Sequence, residues 1–484
     1  IDFYRQDIVV GLNPDVVVEP AKPPVEGFRL EDSDGNRVPF EVLERGDHYG
    51  ISHTRYNYPS QYMAERFRVA VKVDDVPPLG FKTLRIIRQD GFDLPSSTPL
   101  QTGDGYIQNE HVRVEADERG RILVTDIETG MRYGPLGVLE DGGAAGDEYN
   151  YSPPRNDTVL HSDQAVHQVE IRSTRLTAEI WISGDFEVPL QFEEAGHRRS
   201  DERTTLPFTT TVSLQPGSKL VRFRTELDNQ ARDHRLRVVF ETGCDTNTHF
   251  AESAFAVVER QQKQYNPADF WIEVPAAVSC MQRFVTVEDK DRGATVVAAG
   301  LPEYELVYDS GGRIALTLLR CVGQLSRGDL SMRPSGQSGW HNETPDAQCP
   351  GMHVFEYAFL PHQASWIDQA PVLLSEVACF TEPLMFKNLR AKDETLDGKF
   401  LAKVTPAALV VSAAKESEDG DGLVIRVSNP TPSDVNGELK LGWRQKEAHS
   451  ARVDETPEGP AALSEDGTIR SSWPPFAIRT FRFR

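Results

Sequence analysis

Apolar residues in this chain recur mostly at every second position, the period of a strand with one buried and one solvated face. Phe67, Val69, Val71 and Val73 alternate with Arg68 and Lys72. Pro77-Pro78-Leu79-Gly80 then forces a turn, and Phe81 to Arg88 reads as a second strand. Earlier, Phe28 to Leu30 and Val38 to Phe40 flank the turn Asp32-Ser33-Asp34-Gly35-Asn36, which predicts a hairpin. Ile8 to Val10 and Val16 to Val18 are also strand-like. Together these elements predict a small β-sandwich over residues 1–92.

A linker rich in Pro, Ser and Thr, Asp93 to Gln101, opens a second region expected to span 93–382. Tyr106 to Glu115, Ile122 to Asp126, Val169 to Ile171, Leu176 to Ile182, Thr209 to Leu214, Leu220 to Arg224, Arg237 to Phe240 and Ile314 to Leu319 all read as strands, with scarcely a helix signal among them. That is too many strands for one immunoglobulin-sized sandwich and predicts two large sheets packed face to face. A third region, 383–484, holds Leu409 to Ser412 and Leu423 to Val427 around an acidic turn and ends on alternating Phe476 to Arg484, a small closing sandwich. The acidic turn lacks the ligand spacing of a calcium loop. The fold class expected is all-β.

One stretch interrupts this pattern. Met131 to Pro154 carries five glycines and two adjacent alanines, followed by Asp147, Glu148, Tyr149, Asn150 and Tyr151. It reads as a loop in which Gly allows tight turns. Carboxylates accept bonds from hydroxyls and rings cover the apolar faces of pyranoses, so the cluster suits sugar recognition. The competing reading is a solvated turn with its tyrosines packed beneath. Asp147 and Glu148 are no glycosidase pair, because sequence neighbours on an extended strand point opposite ways. A second long polar loop, Met332 to Cys349, offers Arg333, Trp340, His341 and Gln348, and long loops on rigid sandwiches are where ligands bind. An exposed connector is its alternative reading.

Composition narrows the partners. The formal charge of -22 repels a phosphate backbone or an anionic membrane, which excludes nucleic acid and favours neutral glycans. The five cysteines, Cys244, Cys280, Cys321, Cys349 and Cys379, are widely spaced and never form Cys-x-x-Cys, pointing to a reducing, cytoplasmic setting and no structural zinc on this chain. No apolar run approaches a membrane span, and Asn-x-Ser/Thr triplets at Asn150, Asn156 and Asn342 are then chance matches. The start at Ile1, without an initiator Met and directly in a strand-like run, reads as the later part of a longer polypeptide or as a processed end. Serine-hydrolase elbows, phosphate-binding loops and His-Glu-x-x-His are all missing. The twelve histidines show no metal-ligand spacing.

Several segments carry a family likeness. Asn109 to Val114, Gly120 to Asp126, Thr129 to Tyr133, Asp147 to Pro154, Gly217 to Lys219, Thr225 to Asn229, Leu318 to Arg320 and Thr344 to Cys349 resemble, in this order, the C-terminal β-region of bacterial glycoside hydrolase family 38 α-mannosidases, mannosylglycerate hydrolases among them. The resemblance implies a small sandwich, a supersandwich similar to galactose mutarotase and a closing sandwich. It also implies that the nucleophilic aspartate and a zinc ion belong to an N-terminal catalytic domain of the same polypeptide, with no cofactor on this chain. Asp147 to Tyr151 and Arg333 to Gln348 are then expected to line the leaving-group side of a groove that takes an α-mannoside or related glycan. A homo-oligomer is compatible with this reading. Two alternatives stand beside it: a stand-alone carbohydrate-binding protein, and an epimerase using His111 or His167 with a nearby Glu, which nothing in the spacing supports.

Overall fold

The computed structural model describes residues 1–8, 22–52, 60–93, 99–262, 264–307, 311–381, 399–443 and 445–484. Val9, Val10, Val16 to Val18, most of the expected linker and the expected boundary at 382 lie outside the described residues. The chain divides into two compact units: Ile1–Pro99 with Thr174–Thr177 and Lys387–Lys403, and Leu100–Ser173 with Ala178–Phe386 and Val404–Arg484.

In the first unit, strands Asp2–Ile8, Phe40–Ser52 and Ser60–Val71 form one antiparallel sheet, and Gly27–Glu31, Arg37–Val38 and Arg85–Gln89 form another. The expected hairpin is present, with Leu30 opposite Val38. Alternation puts Phe28, Phe40 and Phe67 inside, and the Phe28 and Phe40 rings stack at 4.9 Å. Residues 81–84 are not part of a strand. Phe81 N–H instead donates to the Lys399 carbonyl at 3.0 Å.

Two large sheets dominate the second unit. Among the described residues one has ten strands, with Arg313–Arg320, His234–Glu241, Arg132–Gly143, Ile122–Asp126 and Val112–Ala116 adjacent in that order. The other has nine, including Ala178–Pro189, Arg203–Leu214, Val221–Asn229 and Gly351–Gln363 in sequence across the sheet. Val112, Val114, Ile122, Val124, Val238, Phe240 and Leu316 from the first meet Ile180, Val212, Phe223, Val296, Tyr357 and Phe359 from the second in one core. Each fully buried large side chain there contributes about 1.5–3 kcal/mol. Buried hydroxyls pair rather than stay dry: Thr210 and Thr225 lie 2.9 Å apart, and Thr225 and Tyr357 2.7 Å. The protein is therefore all-β in its frame, as the strand period predicts.

Two expectations are corrected. Met131 to Gly143 is not a loop, because Arg132–Gly143 is a twelve-residue strand paired to Ile122–Asp126 and to His234–Glu241. Gly137 (φ +80) sits where the register shifts, and a Cβ there would stand 2.9 Å from the Phe223 ring. The second correction is a helix, Trp366–Thr381, in a region read as having scarcely a helix signal. Trp366, Ala370, Leu373, Leu374 and Val377 form its apolar stripe and pack on Phe284, Val297, Ala358 and Leu360. No helix among the described residues is long and apolar enough to cross a membrane.

The C-terminal strands Val410–Glu416, Leu423–Ser428, Ala448–Ala451, Pro457–Pro460 and Ile478–Phe483 share one five-stranded sheet. Val257 N–H donates to the Pro430 carbonyl at 2.8 Å, tying the large sheets to this segment.

Candidate loop cluster

Strand Arg132–Gly143 delivers the chain to a compact turn at 144–154. Ala145 N–H donates to the Ser152 carbonyl at 2.8 Å and Asp147 N–H to the Asn150 carbonyl at 3.0 Å. A Cβ on Gly146 would lie 2.2 Å from the Asn150 carbonyl oxygen, so only glycine fits. The Asp147 carboxylate closes the turn by accepting from the N–H groups of Tyr149 (3.0 Å) and Asn150 (2.9 Å), an Asx turn.

Asp147 also reaches the second loop. It accepts from Arg327 N–H at 2.8 Å and is paired with the Arg333 guanidinium. Both side chains are buried, at 0% and 2% exposure. Arg333 further donates to the Asn150 side-chain oxygen, to the Gly336 carbonyl (2.7 Å) and to the Arg327 carbonyl (2.8 Å). Ser326 completes the fastening by accepting from Ser338 N–H (3.0 Å) and Gly339 N–H (3.2 Å). From the sheet, Arg320 donates to the carbonyls of Asp147 (2.6 Å) and Glu148 (2.7 Å). Burial pushes the Asp147 carboxyl up, but Arg333 and the N–H groups of Arg327 and Asn150 outweigh it and hold the group below the usual carboxylate range.

A third segment joins them. Asn150 Nδ2 donates to Glu273 at 2.7 Å, Val274 N–H to the Met332 carbonyl at 2.8 Å, and Ser335 N–H to the Ile272 carbonyl at 3.2 Å. Three loops, around 144–154, 266–274 and 324–342, thus meet over one buried ion pair. The rim they present is aromatic: Tyr149, Trp271 and Trp340 are 55%, 79% and 82% exposed. A Cβ on Gly339 would stand 3.0 Å from the Tyr149 hydroxyl, which places Tyr149 beside the Trp340 segment.

The structure therefore brings together the two loops picked from sequence and sorts their residues. Asp147 and Arg333 face each other inside. Tyr151 is half-buried under Arg235, with 3.7 Å between the guanidinium and the ring centroid, and its hydroxyl donates to the Gly143 carbonyl at 3.2 Å. Gln348 is engaged with Asp233, donating to its carboxylate at 2.7 Å and accepting from its N–H at 2.8 Å. Glu148, Tyr149 and His341 face solvent, and His341 Nδ1 lies 3.2 Å from the Ser326 carbonyl. Trp271, Ile272 and Glu273 were missed, although Phe270-Trp271-Ile272 in a polar stretch was a visible signal. His167, raised for an epimerase, lies 3.8 Å from Asp185 on an exposed surface. Among the described residues no three His, Cys, Asp or Glu side chains converge as a metal-ligand set. Exposed indole and phenol planes with neighbouring carboxylate and imidazole groups can stack on a pyranose and bond its hydroxyls.

Comparison with known proteins gives this cluster a context. Residues 107–331 match the glycosyl hydrolases family 38 C-terminal domain, and residues 408–481 the family's C-terminal beta sandwich domain. A candidate mannosylglycerate hydrolase of Halalkalibacterium halodurans is 29% identical over 425 residues, covering 83% of this chain and 45% of that protein. An alpha-mannosidase from Enterococcus faecalis superimposes with a TM-score of 0.82 at 25% identity, covering 96% of this chain and 51% of that one. A glycosyl hydrolase family 38 protein from the same organism gives 0.80 at 26% identity, covering 96% and 53%. The chain spans about half the length of the relatives it matches.

Proposed function

This chain belongs to glycosyl hydrolase family 38, whose C-terminal domains it matches over more than half its length, and on that premise we propose that it is the non-catalytic region of a zinc-dependent, retaining α-mannosidase. The observation that carries the reading is the loop cluster: an aromatic rim of Tyr149, Trp271 and Trp340 held rigid by a buried Asp147–Arg333 pair. In the parent enzyme this rim lines the leaving-group side of the substrate groove. Tyr149 and Trp340 cover apolar sugar faces, while Glu148 and His341 bond hydroxyls. Asp147 and Arg333 act from beneath, fixing the loops so that little ordering entropy is lost on binding. The substrate class is an α-mannoside or related glycan, which suits a chain of formal charge -22.

Zinc and the nucleophilic aspartate are proposed for the N-terminal half of the parent polypeptide. The part proposed for this chain is binding and positioning. The wide spacing of the five cysteines, with no Cys-x-x-Cys pair, supports a cytoplasmic setting. The experiment is a release assay with an aryl α-mannoside on this chain alone and on the full-length polypeptide, each with and without chelator. The expected result is chelator-sensitive turnover by the full-length protein only. Chelator-resistant turnover by the isolated chain would overturn the reading. Calorimetry with mannosides separates the alternative, since sub-millimolar binding by this chain alone would favour a stand-alone binding module.

A further inference from the structure

The second loop of the cluster leaves the sheets at Cys321, one residue beyond strand Arg313–Arg320, and returns at Cys349, just before strand Gly351–Gln363. Its neck is drawn together by backbone bonds. Val322 N–H donates to the Ala347 carbonyl at 3.2 Å, Thr344 N–H to the Gly323 carbonyl at 2.9 Å, and Gln324 bridges Glu343. Cys321 and Cys349 stand at the two ends of this neck, and Cys349 packs against the same buried cluster that holds Cys321. Asn229 fixes the pair from one side: its Nδ2 donates to the carbonyls of Gln348 (3.1 Å) and Cys349 (2.9 Å) and lies 3.6 Å from the Cys321 sulfur. His234 in turn steadies Asn229, with Nε2 at 3.1 Å from its side-chain oxygen and Nδ1 at 2.5 Å from Asp141. Cys321 is buried, whereas Cys349 is half-buried.

We propose that Cys321 and Cys349 form a peroxide-responsive dithiol that closes into a disulfide across the loop neck and locks residues 322–348. It rests on the backbone bonds that close the neck and on Asn229, which lies against both cysteines, independently of the carbohydrate reading.

The two sulfurs divide the chemistry unequally. Interaction with Cys321 brings the Cys349 thiol down to about 6, burial only partly opposes this, and His353 and His234 add to it. The same interaction and burial push Cys321 up. Cys349 therefore attacks first, as a thiolate. It displaces hydroxide from hydrogen peroxide, leaving a sulfenic acid, and the hydroxide takes a solvent proton. Cys321 sulfur then attacks the sulfenic sulfur, the S–S bond forms, and the departing hydroxyl leaves as water with the Cys321 proton. Two thiols and one peroxide yield one disulfide and two waters. Reduction by a cellular dithiol or glutathione restores the open pair.

The test is peptide mapping by mass spectrometry of the whole chain after mild hydrogen peroxide, without reductant. The expected product is a linked Cys321–Cys349 peptide, with Cys280 and Cys379 still free although both are exposed. Amide exchange across 324–346 slows on oxidation and recovers with dithiothreitol. In Cys321→Ser, which removes the second thiol, Cys349 accumulates as a sulfenic acid trapped by dimedone. Oxidation of Cys280 or Cys379 while Cys321 and Cys349 stay free would overturn the proposal. So would conversion of Cys349 to sulfinic acid with Cys321 untouched.

Discussion

Replacing Arg333 by Met probes the brace under the loop cluster most directly. Breaking a buried ion pair by removing one partner costs about 3–5 kcal/mol, because the other charge stays buried. Asp147 retains backbone donors on Tyr149, Asn150 and Arg327 at 3.0, 2.9 and 2.8 Å, which moves the expected cost to the low end. About 3 kcal/mol of local opening corresponds to amide exchange roughly a hundredfold faster, at tenfold per 1.4 kcal/mol. The assay is native-state hydrogen exchange at those three amides, against the core of strand Val221–Asn229 as an internal control. The effect depends on pH in a definite direction. In the parent chain the Asp147 carboxyl is held below its ordinary 3.8, so its contribution is present above that value and lost as pH falls through the folded value. Without Arg333 the opposition to burial is weaker and the group moves upward, so less of its contribution survives above the ordinary value. The gap between the two proteins should therefore be widest at neutral pH and narrow on acidification, and Asp147→Asn added to Arg333→Met should recover part of the loss. Unchanged exchange at Tyr149, Asn150 and Arg327 in Arg333→Met would refute the reasoning.

Other consequences follow from the same physics. His234→Leu leaves Asp141, fully buried, with the Arg199 guanidinium as its charged partner among the described residues, and should lower stability by about 3 kcal/mol, read as a fall in urea midpoint. An unchanged midpoint would mean that the Asp141–His234–Asn229 chain carries no net stability. Burial lowers His249 and His362 to about 4 from 6.5, so both contribute stability that is present above 6.5 and lost as pH falls toward 4. Both ring nitrogens of His249 lack a partner among the described residues, so His249→Phe should flatten the acid limb of a urea-midpoint profile; a parallel profile would remove His249 as a cause.

Much of the frame is readable from local pattern because a half-buried strand needs an apolar residue at every second place. Val112, Val114, Ile122 and Val124 satisfy that rule and occupy the core. The rule fails where tertiary contacts decide. Phe81 to Leu84 alternates like a strand, yet its backbone partner is Lys399, more than three hundred residues on. Arg132–Gly143 is rich in glycine, which weakens an isolated strand, but neighbours on both edges hold it in place. Pro371 sits inside helix Trp366–Thr381 and hides an otherwise regular stripe. The site divides the same way. Residue chemistry pointed to both loops, but no local rule could show that Asp147 and Arg333, 186 residues apart, would neutralise each other and leave Tyr149 and Trp340 outside.

The central claim is that the rim contacts sugar in the parent enzyme. It is tested most directly by steady-state kinetics of the full-length polypeptide carrying Tyr149→Ala and, separately, Trp340→Ala, with melting temperature measured alongside. Loss of a ring stacked on a pyranose is worth about 0.5–1.5 kcal/mol beyond area burial, and with the buried area the account predicts a kcat/KM roughly tenfold lower at unchanged melting temperature. Unchanged kcat/KM in both variants would contradict it, because side chains this exposed have no packing role to mask a lost contact.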